Sequence, residues 1–281
     1  MKKLILGLLA ISFAFGAEGV FRYQVGDLEA IAIKDRDTNM GKEILLDPDA
    51  PIVKEVLADN QNPSSINAFV IRSSAPQTRF PTILIDTGTG GDIFANLKEA
   101  NIALDSIEII LIAHMHGDHI GGLIQNGKAT FKNAAVFLPK NDLGYWLGSG
   151  DDNKKAAIAL QEVYGDRLAT FEWDKEIAGA IKTIRAEGHT PGHSAFLIES
   201  KGQKLFIVGD LIHSIKVQTA DPTQSVVYDV DPVLAASTRK KLLNYAANAN
   251  LQIAGMHIPF PGIGKVVKEK DGFRFTPIER P

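Results

Sequence analysis

Short apolar runs alternate with segments of helical period along most of this chain. Six of the runs hold four to seven mostly apolar, often β-branched residues between turn formers, which is typical of buried strands. They cover residues 68–72, 82–86, 107–113, 135–138, 195–198 and 205–208. Apolar residues at helical spacing occupy residues 93–100, 151–164 and 231–247, and the last segment opens with Asp-Pro, as a helix start does. The pattern predicts an α/β protein.

The predicted strands fall into two groups, one before about residue 143 and one after about residue 170. A helix and a segment rich in Gly, Asp and Lys separate the groups. Because a sheet must bury its apolar face against another layer, two groups favour two sheets packed face to face with helices outside. We therefore predict an αββα sandwich of two mixed β-sheets, formed by residues 17–281 as a single domain.

Residues 1–16 have the layout of a secretory signal peptide. Lys2 and Lys3 precede an apolar run over residues 4–15, and the small residues Gly16 and Ala17 follow it. The run is too short to anchor the chain across a bilayer, and an amino-terminal core helix is the alternative. The layout predicts a periplasmic or secreted bacterial protein with no stable membrane association once the leader is removed.

Composition narrows the chemistry that the chain can perform. With 281 residues, 45% of them hydrophobic, the chain can bury a large core. A formal net charge of −3 gives no basic field for phosphate backbones, so we expect no nucleic-acid partner. There is no cysteine, which removes thiolates as metal ligands and as nucleophiles. Any metal site must be built from His, Asp and Glu.

Four side chains that can bind a metal lie within six residues after the predicted strand 107–113: His114, His116, Asp118 and His119. Alternate residues leaving a strand can point the same way, and Gly117 lets the backbone turn toward a second centre. Imidazoles and carboxylates hold divalent zinc at about 2 Å. A chance H-x-H-x-D-H would arise in roughly 3 of 10,000 shuffles of this composition, so the cluster indicates a metal site.

Residues 114–122 resemble the metallo-β-lactamase superfamily signature H-x-H-x-D-H-x-G-G, and later segments follow that family's order. GHTPGHS at residues 188–194 is similar to the second motif, VGD at 208–210 to the segment of the bridging aspartate, and GMH at 255–257 to that of the last histidine. The resemblance implies one divalent ion held by His114, His116 and His193, a second held by Asp118, His119 and His257, and Asp210 bridging them. It leaves His189 as a residue that supports the ligands, and the reverse assignment of His189 and His193 is the alternative.

Asp86 matches the aspartate that ends a strand in this family. The resemblance implies that it accepts a hydrogen bond from a ligand imidazole and so fixes the tautomer of that ring. A turn-forming aspartate before Thr87 and Gly88 is the alternative.

Residues 67–267 resemble methyl parathion hydrolase and the esterase-like and lactonase-like enzymes around it. The likeness rests on GDLIH at residues 209–213, the segment 231–243 and HIPFPGIG at 257–264. Acyl-homoserine lactonases of this fold carry a tyrosine three residues after the bridging aspartate, whereas this chain has His213. That departure argues against a strict assignment to those lactonases.

The resemblance implies hydrolysis of an ester, lactone or phosphotriester of small size by a hydroxide held between the two ions. Asp118 is expected to pass a proton to the leaving group, and His213 to donate to the developing oxyanion. A solvent-facing supporting histidine is the alternative for His213. Tyr145, Trp146 and Phe260 are expected to line the substrate pocket, with simple packing as the alternative for the first two.

Several alternatives stay open on sequence alone. Zinc is the expected metal, although iron, manganese and cobalt accept the same ligands. A β-lactamase is disfavoured because such enzymes usually carry cysteine or serine where Asp210 stands. Oxygen-reducing di-iron relatives place Glu where His116 lies. A periplasmic metal-binding protein without hydrolase activity would have a site closed by protein ligands. A homodimer also stays open, since relatives are commonly dimers.

Overall fold

Two seven-stranded mixed sheets form the architecture, one from each half of the chain. The strands of the first half are β1 (Val20–Val25), β2 (Leu28–Asn39), β3 (Pro63–Ser73), β4 (Ile83–Ile85), β5 (Ile109–Leu111), β6 (Ile124–Gln125), β7 (Lys128–Ala129), β8 (Ala135–Pro139) and β9 (Leu168–Phe171). Those of the second half are β10 (Glu176–Ile177), β11 (Ile181–Arg185), β12 (Ser194–Ser200), β13 (Gln203–Ile207), β14 (Gln252–Ala254), β15 (Ile263–Glu269) and β16 (Gly272–Pro277). β6 and β7 pair only with each other, and the remaining strands of each half form one sheet.

The computed structural model describes residues 18–75, 79–150, 152–270 and 272–279. The signal peptide predicted for residues 1–16 lies outside these ranges. Among the helices that are described, none combines the length and the apolar character needed to cross a membrane.

Parallel pairing places the ends of several strands at one edge of the molecule. In the first sheet, β4, β5, β8 and β9 run parallel, in the order β4-β5-β8-β9. In the second sheet, β13 and β14 are parallel, whereas the other neighbours are antiparallel. Since parallel strands are buried on both faces, they read as the continuous apolar runs seen in the sequence. The loops that follow these strands carry the polar residues described below.

Seven α-helices surround the sheets. They are α1 (Pro51–Val56), α2 (Ile93–Glu99), α3 (Gly117–Ile120), α4 (Lys140–Gly148), α5 (Asp152–Tyr164), α6 (Ile215–Ala220) and α7 (Pro232–Asn248), counted over the described residues. Short 3-10 turns cover Lys42–Ile44, Leu104–Ser106 and Gly165–Arg167. The side chain of Asp231 accepts a hydrogen bond from Leu234 N and caps α7, whose first residue is Pro232. This explains why α7 begins where the Asp-Pro pair predicted a helix start.

Three apolar layers hold the sandwich together. Phe69 and Leu111 of the first sheet meet Phe196 and Ile207 of the second in the layer between the sheets. A second layer packs α2, α4 and α5 against the outer face of the first sheet, and a third packs α7 against the second sheet. The predicted αββα sandwich of two mixed sheets is therefore confirmed.

The strands before residue 68 were not predicted from sequence. β2 spans twelve residues and pairs with β1 on one side and β3 on the other, with a register shift between Lys34 and Arg36. The predicted strand 107–113 is shorter in the structure, because the chain leaves the sheet after Leu111. The residues that follow form the loop that carries the first histidines.

We expect Phe196→Ala to lower the free energy of unfolding by about 3–5 kcal/mol, because it leaves a cavity between the two sheets. Phe196 is fully buried, and its ring centroid lies 5.9 Å from that of Phe171. Urea unfolding of the metal-free protein measures the change. Val233 is 82% exposed, so Val233→Ala is the control and should shift stability by less than about 0.5 kcal/mol. Equal effects of the two substitutions would contradict this packing.

Candidate metal centre

All seven histidines of the chain lie around the carboxylate of Asp210, at the edge where strands of both sheets end. His114 and His116 follow β5, His119 lies in α3, His189 and His193 lie between β11 and β12, His213 follows β13, and His257 follows β14. Asp210 itself comes three residues after the end of β13. The loops at this edge thus bring together side chains that are up to 143 residues apart in sequence, from His114 to His257.

A first group contains three imidazole nitrogens that face one another. His114 Nε2 lies 2.8 Å from His116 Nδ1, and His189 Nε2 lies 3.1 and 3.0 Å from these two atoms. Burial lowers the pKa of His116 to about 4 and that of His189 to about 3, so both rings are neutral near pH 7. Neutral imidazoles with converging lone pairs are the form that binds a divalent ion.

A second group consists of Asp118, His119 and His257, whose candidate ligand atoms lie within 4.8 Å of one another. His257 Nε2 is 3.3 Å from Asp118 Oδ2, and His119 Nε2 is 3.8 Å from Asp118 Oδ1. Burial disfavours a charged ring, but the carboxylates of Asp210 and Asp118 together outweigh it and raise the pKa of His257 to about 10. A proton and a metal ion therefore compete for this nitrogen.

Asp210 lies between the two groups and is 1% exposed. Its Oδ1 is 3.1 Å from His119 Nε2, whereas its Oδ2 is 3.0 Å from His257 Nε2 and 3.4 Å from His189 Nε2. Neither Asp210 Oδ1 nor His119 Nε2 makes a hydrogen bond of acceptable geometry with any described residue. Buried polar atoms without partners are costly, and a cation between them removes that cost. This donor set, which consists of imidazole nitrogens and carboxylate oxygens, fits two divalent ions.

Two buried carboxylates accept hydrogen bonds from histidines of the cluster, each at the ring nitrogen that faces away from the other ligands. His119 Nδ1 donates to Asp86 Oδ2 at 2.6 Å, which is the type of contact predicted for Asp86. His189 Nδ1 donates to Asp229 Oδ1 at 2.9 Å. Asp229 was missed in the sequence, because it lies in no recognisable motif and 40 residues from His189. Each bond leaves the opposite nitrogen of its ring free to face the other ligands.

The assignment of His193 as a ligand and of His189 as a supporting residue is wrong. Both ring nitrogens of His193 are bonded to backbone: Nδ1 donates to Ala186 O at 2.7 Å, and Nε2 accepts from Asp210 N at 2.9 Å. No lone pair of His193 therefore remains for an ion, whereas His189 Nε2 faces His114 and His116. Gly209 permits this arrangement, because a Cβ at that position would lie 2.4 Å from His193 Nε2.

His213 is buried beside the second group. Its ring stacks on that of His257 at 4.8 Å, and its Nε2 lies 3.2 Å from Asp210 Oδ2. With 2% exposure it does not face solvent, so the solvent-facing alternative is wrong. Its Nδ1 has no hydrogen-bond partner among the described residues. His213 can thus serve either as a ligand or as a donor to a bound substrate.

The predicted pocket residues divide into two classes. The ring of Trp146 lies 5.6 Å from that of His116, but Trp146 is 5% exposed and belongs to the core beside the first sheet, which is the packing alternative. Tyr145, which is 40% exposed, packs against Trp146. Phe260 instead belongs to the core between the sheets and is 7% exposed, so its assignment to an open pocket wall is wrong. Tyr228 was missed: it is 49% exposed, with its ring 6.0 Å from that of His213.

Asp142, at the start of α4, connects the two loops that carry the first group. Its Oδ2 accepts hydrogen bonds from Met115 N at 2.9 Å and from Thr190 Oγ1 at 3.0 Å, and its Oδ1 accepts from Gly192 N at 2.5 Å. Burial raises the pKa of Asp142 to about 6. No local pattern marks this residue in the sequence, because all three partners are distant along the chain.

His189→Ala should reduce the zinc content of the purified protein from two ions per chain toward one, because it removes a nitrogen from the first group. His193→Gln should keep two ions, since His193 bonds to backbone only. Metal analysis after dialysis against a weak chelator measures both variants. Loss of an ion in His193→Gln but not in His189→Ala would show that His193 is the ligand.

The sequence of this chain is similar to those of known proteins over about half of its length or more. The family model described as metallo-beta-lactamase superfamily matches residues 62–251, which is more than half of the chain. A hydroxyacylglutathione hydrolase of Aliivibrio salmonicida is 28% identical over 163 residues, covering 52% of this chain and 55% of that protein. A second such enzyme, of Aeromonas salmonicida, is 27% identical over 137 residues, covering 47% of this chain and 42% of that one. The chain thus spans about half the length of these curated relatives.

Two solved structures match nearly the whole chain. The hydrolase AbOPH of the beta-lactamase superfamily has a TM-score of 0.84 and 28% identity, covering 94% of this chain and 98% of that one. The dizinc quorum-quenching lactonase AidC, in complex with a product, has a TM-score of 0.84 and 26% identity with the same coverage. On the family match and on the fold, this chain belongs to the metallo-β-lactamase superfamily.

Proposed function

We propose that this hydrolase uses two divalent metal ions, with zinc as the metal, to open ester, lactone or phosphotriester bonds of small molecules. The observation that carries the proposal is the buried carboxylate of Asp210 between two groups of nitrogen and oxygen donors. The dizinc lactonase AidC and the hydrolase AbOPH, which match this chain along 94% of its length, support the same reaction class.

The proposed ligands follow the two groups of donor atoms. The first ion would be held by His114, His116 and His189, the second by Asp118, His119 and His257, and Asp210 would contact both. When bound, such ions polarise a carbonyl or phosphoryl oxygen and lower the pKa of water toward neutrality. No side-chain nucleophile is then required.

Asp118 is the proposed proton carrier. Its side chain is 28% exposed, so it can reach both the interior of the site and a bound substrate. Burial alone would raise the pKa of Asp118, but the neighbouring His119 and His257 together outweigh it and lower the pKa below its usual range. The ionised carboxylate can accept a proton from the attacking water at Oδ1 or Oδ2. It can then release this proton to the leaving group, which is more basic than the carboxylate.

His213 is the proposed donor to the substrate oxygen that becomes negative. A preorganised donor in a buried site stabilises such an oxygen without reorganising during the reaction. The stacking of its ring on His257 fixes its orientation. Tyr145 and Tyr228 are partly exposed beside the cluster, and their rings offer apolar contact for the rest of the substrate.

Hydrolysis of a hydroxyacylglutathione thioester is the second candidate, because curated relatives carry that name. Those relatives match only about half of this chain, whereas AidC and AbOPH match 94% of it. The match to the lactonase AidC along 94% of the chain favours the ester and lactone class. We further propose a periplasmic location and a small-molecule partner, consistent with the layout of residues 1–16 and the net charge of −3.

Zinc-loaded protein should hydrolyse at least one of four substrate types: a 4-nitrophenyl ester, a γ-lactone, a phosphotriester or a hydroxyacylglutathione thioester. Dialysis against a strong chelator should abolish the rate, and zinc should restore it. Asp118→Asn should lower kcat by about 10²–10⁴-fold, since it removes the proton carrier and one carboxylate oxygen of the second group. Asp166→Asn changes an exposed carboxylate and should leave the rate unchanged. Turnover that survives the chelator would contradict the metal mechanism, and turnover of nitrocefin alone would point to a β-lactamase.

His213→Ala should lower kcat by about 10²–10³-fold while the protein keeps two ions per chain, because the lost group is a donor to the transition state. Steady-state kinetics and metal analysis on the same preparation separate the two roles of this histidine. Loss of one ion in His213→Ala would assign it as a ligand and would contradict the donor role.

A further inference from the structure

A chain of buried polar groups connects His189 to helix α7. His189 Nδ1 donates to Asp229 Oδ1 at 2.9 Å, and Arg239 Nη2 lies 3.6 Å from Asp229 Oδ2. The side chains of Asp229 and Arg239 are 0% and 1% exposed. A charged pair hidden from water is costly unless its remaining donors and acceptors are satisfied, so their other partners matter.

Asp229 sits in a tight turn that is fixed at both ends. Its backbone N donates to Val226 O at 3.0 Å, and its Oδ2 accepts from Val226 N at 3.0 Å. Val227 N donates to Ile44 O, and Val230 N donates to His189 O at 3.0 Å. The turn therefore binds His189 twice, once through the peptide and once through the imidazole.

Arg239 fixes the same turn from the side of α7. Its Nε donates to Leu211 O at 2.7 Å, and its Nη1 donates to Pro222 O at 3.0 Å and to Gln224 O at 2.8 Å. Leu211 directly follows Asp210, so one guanidinium holds both the segment of the bridging carboxylate and the segment that leads to Asp229. The fixed fork of an arginine suits such multiple contacts, which a lysine could not reproduce.

The second group contains an equivalent contact between a buried carboxylate and an imidazole. Asp86 accepts from His119 Nδ1, and its second oxygen accepts from Ala113 N at 2.7 Å. By contrast, Nδ1 of His114 and Nδ1 of His257 have no hydrogen-bond partner among the described residues. Each proposed ion thus has one imidazole backed by a buried carboxylate, Asp229 for the first and Asp86 for the second.

We infer that Asp229, held in place by Arg239, is a positioning residue that sets the affinity for the first ion alone, as Asp86 sets it for the second. The inference rests on the two-metal site proposed above. Donation of Nδ1–H to a carboxylate fixes the tautomer, aims the Nε2 lone pair and makes it a better donor to a metal. Loss of such a partner weakens metal binding by about 10–100-fold.

The test compares Asp229→Asn with its matched counterpart Asp86→Asn in a series of zinc buffers without substrate. Both substitutions keep the shape of the side chain, and asparagine tolerates the positive φ of 60° at residue 86. Each variant should bind one ion about 10–100-fold more weakly and the other as the wild type does. Asp166→Asn, which changes an exposed carboxylate, should leave both affinities unchanged.

Double variants identify which ion is affected. In a His116→Ala background, where the first group is already broken, Asp229→Asn should cause no further loss of zinc affinity, whereas Asp86→Asn should. In an Asp118→Ala background the pattern should reverse, because that change breaks the second group. Such non-additivity is the signature of residues that act on the same site.

The thermal midpoint of the metal-free variants reports the structural contribution separately. A lower midpoint with both zinc affinities unchanged would overturn the inference, and so would equal weakening of both ions by Asp229→Asn. If Asp229→Asn does not fold, Asp229→Glu, which keeps a negative charge beside Arg239 but displaces the carboxylate from His189 Nδ1, is measured against the same predictions. A wild type that binds two ions but hydrolyses nothing would refute the proposed function and leave this inference standing.

Discussion

The arrangement of the site depends on the cost of burying the carboxylate of Asp210. This side chain is 1% exposed and lies within 3.0–3.7 Å of five imidazole nitrogens, those of His114, His119, His189, His213 and His257. A buried carboxylate is tolerated only where positive charge or several donors compensate it. Two cations shared between the surrounding groups would compensate it more fully than protons on a few rings. The loops around Asp210 bring the surrounding imidazoles within reach of its carboxylate.

The two sheets determine where the loops that carry the ligands lie, and buried polar contacts fix the orientation of the ligand side chains. Parallel strands end at one edge in both sheets, so the residues after β4, β5, β13 and β14 meet there. Three carboxylates behind the cluster then fix the loops: Asp86 holds His119, Asp229 holds His189, and Asp142 joins the loops that follow β5 and β11. Ligands held from behind in this way keep their orientation without a bound ion, which is what a preorganised site requires.

Features that arise from neighbouring residues could be predicted from the sequence, whereas roles that depend on contacts between distant segments could not. The sandwich followed from apolar runs in two groups, and the cluster at residues 114–119 followed from donors packed into six positions. The choice between His189 and His193 could not be made locally, because both lie in one motif and only Asp210 N shows which ring is already bonded. Asp142 and Asp229 stand in segments without any pattern, and their roles arise from partners brought near by the fold. Phe260 was misread because an aromatic residue next to a ligand segment can equally well pack into the core.

Anomalous diffraction at the zinc absorption edge, from crystals of the zinc-loaded protein, would locate the bound ions among these ligands. The expected arrangement has two peaks, one bonded to His114, His116 and His189 at about 2 Å and one bonded to Asp118, His119 and His257, with Asp210 in contact with both. A peak bonded to His193, or a protein that takes up no zinc while folded, would contradict it.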